Sequence, residues 1–414
     1  MEQVVITGLG TVNPLGNSVA DCWENIRRGN SGAGPITRFD ASQFATTYAA
    51  EVKDFEPKDR IDRRDARKMD RFSHYAVYAA LEALEDAGLE LRGTGYDKER
   101  TGIIIGVGIG GFETIEESIA TLIEKGPDRV PPMTIPKLIA NIAPAHIAIA
   151  MDVHGPTFSL NTACASGTDA IHSALRSIRA GECDMVVTGG VEASITRLGI
   201  SGFNVIQALS TKYADDPAKA SRPFDRDRDG FVMGEGAGIL ILESRTHAEK
   251  RGARIYAEVA GSSMTCDANH LTAPHPEGRG AIEAMDRAIK AAGLEPEQVD
   301  YINAHGTSTP INDPMETKAI KEVFGAYAAK VKISSTKSMT GHCVGAAGGI
   351  EALVATKALE QQFYPPTINL DNPDPECDLD YVPNTGIEGK MEVAMSNTFG
   401  FGGHNGVVIL RRFN

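Results

Sequence analysis

The chain has 414 residues, of which 42% are hydrophobic and 23% charged, with a formal net charge of −14. This is the composition of a globular protein with two or three ordinary domains or one large duplicated one. No stretch approaches the roughly eighteen consecutive apolar residues of a membrane span, and the acidic balance excludes general nucleic-acid binding. A local basic patch can still recruit an acidic partner, because charges are screened beyond roughly 8 Å at physiological salt.

The opening Met1-Glu2-Gln3-Val4-Val5 enters a strand with no basic or apolar leader. The expected compartment is the cytoplasm, or an organellar stroma or matrix after removal of a presequence. Strands are predicted at Val4–Gly8, Thr101–Gly106, Asp184–Thr188, Ala237–Leu242, Ile255–Ala260, Tyr301–Ala304, Lys332–Ser335, Glu392–Asn397 and Gly406–Leu410. Helical periodicity is clearest at Ser73–Ala87, Gly167–Ala180, Gly280–Ala291, Asp313–Phe324 and Gly349–Gln361. Alternation of the two types indicates an α/β fold.

Two motifs are tempting and fail. Gly106-Val107-Gly108-Ile109-Gly110-Gly111 has dinucleotide-loop spacing, but no second strand ending in an acidic residue follows at the required distance. It reads better as a turn and pocket wall. Asp225-Arg226-Asp227-Arg228-Asp229-Gly230 imitates half a calcium loop, yet Gly236 stands where the bidentate Glu belongs. The six cysteines (22, 164, 183, 266, 343 and 377) lack CxxC spacing, so neither a zinc site nor a disulfide framework is suggested.

One cysteine has a telling context. In Thr157-Phe158-Ser159-Leu160-Asn161-Thr162-Ala163-Cys164-Ala165-Ser166-Gly167 an apolar run enters, the turn is built of small residues, and a helical pattern leaves. Cys164 thus sits at a strand-to-helix elbow, where the helix N-terminus favours thiolate. A buried cysteine acting as a small hydrophobe fits the same local pattern. Two histidine loops tilt the balance toward chemistry. His305, in Asn303-Ala304-His305-Gly306-Thr307, and His342, in Lys337-Ser338-Met339-Thr340-Gly341-His342, both stand at strand-end loops beside glycine, on the edge where α/β proteins place their sites.

The halves also echo each other. A strand ending in Asn161-Thr162-Ala163-Cys164, a small-residue helix and the strand Asp184–Gly190 are echoed by Val331–Ser335 leading to Thr340–Gly349, another such helix and the strand Val393–Asn397. A duplicated layered domain is expected, with one half over residues 1–252 carrying the cysteine and one over 253–414 carrying the histidines.

Taken with Val5-Ile6-Thr7-Gly8-Leu9-Gly10, Ser221-Arg222-Pro223-Phe224-Asp225 and Asn397-Thr398-Phe399-Gly400-Phe401-Gly402-Gly403, these segments make the chain resemble an elongating β-ketoacyl-[acyl-carrier-protein] synthase, most like the synthase II type. The resemblance runs the whole length and implies a thiolase-like duplicated five-layered αβαβα fold with mixed sheets. It implies fatty-acid chain elongation by decarboxylative condensation, and a Cys-His-His triad of Cys164, His305 and His342 with Lys337 beside it. It further implies an oxyanion hole from the N–H groups of Cys164 and Phe401, with Phe401 also as a gate, and Ile109 and Phe401 in the acyl pocket. Thr307 and Thr309 would hold the pantetheine arm. Asp313, Glu316 and Glu351 would order the catalytic loops, Lys337 holding Glu351 and His342 in place. A monovalent cation at Asn303, Glu351 and Ser396 is a further possibility, against a plain buried hydrogen-bond cluster. No other cofactor is required.

The implied partners are acyl- and malonyl-loaded acyl carrier protein and a second copy of the chain, with Pro131–Ile135 reaching toward that copy's acyl pocket. Arg63, Arg64, Arg67, Lys68 and Arg71 form a dense basic cluster. Charge runs are usually solvated faces, but the family docks its acidic carrier here, at Arg64, Arg67 and Lys68. His404 departs from the Thr of many bacterial members, which bears on the subtype. A degradative thiolase would need a second cysteine in the last glycine motif, and none is there; an initiating synthase would carry Asn in place of His342. A chain-length partner subunit would lack the nucleophile, whereas a stand-alone polyketide ketosynthase shares all of these features.

Overall fold

The computed structural model describes residues 2–413. Ten strands carry the architecture: β1 (Val4–Val12), β2 (Thr101–Val107), β3 (Thr157–Leu160), β4 (Met185–Glu192), β5 (Gly236–Ser244), β6 (Ala257–Cys266), β7 (Tyr301–Asn303), β8 (Lys332–Ser334), β9 (Val393–Gly400) and β10 (His404–Arg412). The first five lie in the order β3-β2-β4-β5-β1 and the last five in the order β8-β7-β9-β10-β6. Each strand thus has its counterpart five places later. The pairing senses repeat too: β2 runs parallel to β3 and β4, and β5 antiparallel to β4 and β1. Likewise β7 runs parallel to β8 and β9, and β10 antiparallel to β9 and β6. The two sheets join edge to edge only where Val5 and Ile6 of β1 meet Glu258 and Ala257 of β6.

Eight helices matter for the site: α1 (Arg71–Asp86), α2 (Phe112–Lys125), α3 (Ile142–Met151), α4 (Ser166–Arg179), α5 (Arg197–Val205), α6 (Arg279–Ala291), α7 (Asn312–Phe324) and α8 (Ala347–Gln361). α4 and α8 pack on strands of both sheets and on each other, forming the central layer. α1 covers the outer face of the first sheet and α6 that of the second. The result is the five-layered αβαβα sandwich. Position explains composition: α8 is buried at twelve of its fifteen residues, so it is apolar or small on every side rather than amphipathic. α1 is started by Asp70, whose carboxylate accepts the Phe72 N–H at 3.3 Å, and buries Phe72, Tyr75, Ala76, Ala79 and Ala83 against the sheet.

Boundaries shift modestly from expectation. The strand expected from Ile255 begins at Ala257, and that expected at Asp184–Thr188 continues to Glu192. α2, α3 and α5 were not foreseen. α2 starts at Gly111 without a side-chain cap, and its Ile119, Leu122 and Ile123 are exposed rather than packed inward, so the stretch lacks the usual start signal and a core-facing stripe. Among the described residues no helix is long and apolar enough to cross a membrane.

Candidate active site

The ends of β2, β3, β7, β8 and β9 and the N-terminal ends of α4 and α8 converge on one cavity of about 490 Å³. Its lining includes Ile109, Cys164, His305, Thr307, Thr309, His342 and Phe401. An open hollow of about 870 Å³ at Arg38, Asp70, Arg71 and Lys137 is larger. It contains neither cysteine nor serine, and the cysteine with its two histidines belongs to the smaller, more apolar space.

Cys164 is the middle residue of a single 3-10 turn, Ala163–Ala165, that leads straight into α4. Ala163 adopts φ 51°, a left-handed conformation that a side-chain-bearing residue holds only when its surroundings impose it. This is the elbow expected from the sequence. The thiolate expectation needs correction. Burial pushes the Cys164 thiol up to about 12, while the Lys337 ammonium and the Phe401 N–H pull it down less strongly. The resting group is therefore a thiol, because desolvation of the sulfur outweighs the helix terminus.

Its neighbour is His342, whose Nε2 stands 2.9 Å from Cys164 Sγ. The His305 ring lies 5.4 Å away, centroid to centroid, perpendicular to that of His342. Burial, reinforced by the Lys337 charge, holds both imidazoles well below their ordinary range, and His342 lowers His305 further. Both are neutral. Among the described residues neither Nδ1 atom has a hydrogen-bond partner, so no protein group locks either ring in one tautomer.

The supporting residues sort cleanly. Glu316 receives the backbone N–H groups of His305 and Gly306, each at 2.8 Å, and so fixes the His305 loop directly. Asp313 works one step away, accepting the Phe224 N–H at 2.9 Å and facing Arg228 at 3.8 Å. Lys337 is buried and ion-pairs with Glu351. Its expected hold on His342 takes the form of charge alone, since its ammonium donates to Glu351 and not to the imidazole. Burial nonetheless pushes the Glu351 carboxyl up to about 7, against the pull of Lys337. The Thr307 and Thr309 hydroxyls lie 3.0 Å apart on the cavity wall. The Phe401 N–H points at Cys164 Sγ, its ring is 6.3 Å from that of Phe203, and Gly402 and Gly403 follow at φ 87° and 76°. Two successive left-handed residues here call for glycine.

Asn303 is buried and paired with Thr336, its Nδ2 donating to the Thr336 hydroxyl at 3.2 Å. Ser396 lies opposite it in the β9–β7 ladder. Ser396 Oγ and Glu351 Oε2 are buried without partners. A carboxylate oxygen and a hydroxyl are the oxygen donors that suit a weakly charged hard cation. Among the described residues no group of three His, Cys, Asp or Glu could hold a transition metal.

The basic cluster divides. Arg64, Arg67 and Lys68 are exposed on a one-turn helix, Arg63–Ala66, and the turn after it. Lys68 pairs with Asp65 at 2.9 Å. Arg71 does not belong with them. It opens α1, is buried, and reaches Glu113 at 3.0 Å and Glu235 at 3.7 Å.

The model of the beta-ketoacyl synthase N-terminal domain matches residues 1–248, and that of the C-terminal domain residues 256–371. The chain belongs to the β-ketoacyl synthase family. As a β-ketoacyl synthase it is 51% identical over 412 residues to 3-oxoacyl-[acyl-carrier-protein] synthase 2 of Synechocystis sp., spanning 100% of this chain and 98% of the relative. It is 50% identical to the protein of that name from Coxiella burnetii, over 99% of both. Among solved structures, a beta-ketoacyl synthase from Burkholderia phymatum superposes with a TM-score of 0.93 at 34% identity over the full length of both chains. A type II polyketide acyl-carrier protein in complex with its ketosynthase gives 0.92 at 35%, again over both full lengths. These likenesses confirm the thiolase-like fold and the synthase II resemblance.

Glu192 carries no signal in the sequence. It ends β4 fully buried, and burial pushes its carboxyl up to about 7.

Proposed function

We propose that this β-ketoacyl synthase elongates fatty-acid chains by condensing malonyl-[acyl-carrier protein] with an acyl group carried on Cys164, giving 3-oxoacyl-[acyl-carrier protein] and CO2. The observation that carries the reading is the 2.9 Å contact between Cys164 Sγ and His342 Nε2, with His305 facing the same cavity. The synthase 2 relatives near 50% identity favour fatty-acid elongation over polyketide synthesis.

In the first half-reaction Cys164 attacks the acyl thioester. The thiol proton passes through His342 Nε2 to the departing pantetheine sulfur, so charge balances. The N–H groups of Cys164 and Phe401 receive the oxyanion. In the second, the malonyl thioester oxygen faces His305 and His342. CO2 leaves, the enolate oxygen takes N–H donors from both rings, and the carbanion attacks the acyl-cysteine carbonyl. The acyl–sulfur bond breaks, releasing the 3-oxoacyl product, and the Cys164 thiolate takes a proton from solvent to regain the resting thiol. The tautomeric freedom of the rings lets His342 accept in one half and donate in the other. Thr307 and Thr309 position the pantetheine arm, Lys337 supplies positive field near the enolate, and no cofactor takes part. A monovalent cation at Asn303, Glu351 and Ser396 would serve structure only. Turnover of malonyl- with acyl-carrier protein of graded chain length tests the function, and no 3-oxoacyl product with any acyl length would defeat it.

Ile109 marks the depth of the acyl pocket. Ile109→Phe is expected to lower the ratio of long-chain to short-chain kcat/KM, because overpacking a close-fitting wall costs about 1–3 kcal/mol. An unchanged ratio would remove Ile109 from the pocket.

Arg64, Arg67 and Lys68 form the docking surface for the acidic carrier. Combined Arg67→Glu and Lys68→Glu should raise KM for carrier-bound substrates and spare small pantetheine thioesters, as added salt would. Equal carrier kinetics in this variant would move the dock elsewhere. A second copy of the chain adds along β3, an edge strand whose Thr157 and Phe158 are exposed, and Met133 and Ile135 are exposed as well. An unpaired edge is a template for another strand. A monomeric mass by light scattering at assay concentration would rule out this homodimer. The proposed compartment is the cytoplasm, which cell fractionation reads directly.

A further inference from the structure

Val344–Ala346 forms a 3-10 turn leading into α8, as Ala163–Ala165 does into α4. Val344 has φ 44° where Ala163 has 51°. Gly345 therefore occupies, in the second half, the place that Cys164 holds in the first. Against Cys164 lies the Phe401 N–H, just past the end of β9. Against Gly345 lies the Glu192 carboxylate, at the end of the corresponding strand β4.

That carboxylate is a junction. Its Oε2 accepts the Gly345 N–H at 3.3 Å, its Oε1 is buried with no hydrogen-bond partner among the described residues, and the N–H groups of Ile109 and Ala193 lie close enough to hold its carboxyl down against burial. A Cβ on Gly108 would come within 2.1 Å of Oε2, and one on Gly345 within 2.2 Å of the Gly108 nitrogen. The two turns are in backbone contact, and the carboxylate fills the space beside them. Gly108, Ile109 and Val344 all line the cavity that holds Cys164.

We propose that Glu192 is a positioning residue that ties the Ile109 turn, which limits the acyl pocket, to the Gly345 turn that follows His342. It fixes pocket depth and histidine placement together, by accepting the buried Gly345 N–H and by packing against Gly108 beside Ile109. This rests on reading the Ile109 cavity as the acyl pocket.

Three variants separate the roles. Glu192→Gln keeps an acceptor oxygen of the same reach. Glu192→Met fills the space without an acceptor, and Glu192→Ala does neither. The readouts are the long- to short-chain kcat/KM ratio, Cys164 acylation by intact mass, and melting midpoint. Met and Ala should shift the ratio roughly tenfold or more, the scale on which pockets discriminate a methylene. Gln should restore it to within about threefold of the parent. A folded Met or Ala variant with the parent ratio overturns the proposal, and so does a Gln variant as altered as Ala. Should Met and Ala fail to fold, amide exchange in the parent chain decides. Slow exchange at both Ile109 and Gly345 is expected, and fast exchange at both overturns it. Ile109→Phe, run alongside, separates the readings. A ratio unmoved by Ile109→Phe defeats the pocket assignment, whereas one moved by Ile109→Phe but not by Glu192→Ala defeats only the role of Glu192.

Discussion

Cys164→Ala will abolish the acyl-enzyme, and with it condensation. Intact mass after incubation with acyl-carrier protein should show one acyl increment on the parent chain and none on the variant. Four competing thiols, Cys22, Cys183, Cys343 and Cys377, are buried. Burial pushes the thiols of Cys22 and Cys377 up to about 12, with no imidazole partner to take a proton. Cys266 is exposed but lies outside the histidine pair, with its sulfur 3.7 Å from the Gly402 carbonyl. Label on any of these in the Cys164→Ala protein would sink the assignment. Because the Cys164 sulfur rests as a thiol, its alkylation by a neutral reagent should keep accelerating through pH 8 to 10. A plateau near neutrality would mean a thiolate.

His305→Ala and His342→Ala will each lose roughly 10²–10⁴ in condensation, the range for removing one donor from a developing oxyanion or one acid–base group. The two should part company on acylation. His342 touches the sulfur and His305 does not, so His342→Ala should slow acyl transfer while His305→Ala largely spares it. Equal and complete loss of acylation in both would mean that the histidines act only by activating the cysteine. The pH dependence follows from the same geometry. Both folded imidazoles titrate well below the free value of about 6.5, so decarboxylation should not fall as pH drops through that value on their account. Their neutral burial also couples to folding. The stability it contributes is full above the free imidazole value and is lost as pH falls toward the folded one.

Much of this site is legible in sequence because its reacting groups sit in loops of small residues. Cys164 and His305 follow strands directly, His342 stands after the helical turn Lys337–Thr340 rather than at the strand end expected, all three lie beside glycine or alanine, and the structure brings them to one cavity. Arg71 misled because five basic residues in nine positions read as one surface. The cap at Asp70 starts a new helix there and turns Arg71 into the fold toward Glu113 and Glu235. Glu192 was silent for a different reason. A single acid closing an apolar strand looks like a solvated strand end. Its role exists only once two glycine turns, more than two hundred residues apart in sequence, are stacked on it. The thiolate expectation failed because a sequence shows the helix terminus but not the desolvation that opposes it.

The five-for-five correspondence of strands has a historical reading. A single ancestral half, associating as a symmetric pair, would have presented two identical elbows to a shared centre, and any residue placed at one would have appeared at both. Fusing the copies into one chain freed each elbow to evolve alone. One kept a sulfur at its apex, the other closed down to glycine against a neighbouring carboxylate, and the histidines gathered on the second copy. The cost is indivisibility. Neither half retains both the sulfur and a histidine, so a chain cut in the connection between β5 and β6 can condense only where its two fragments find each other again.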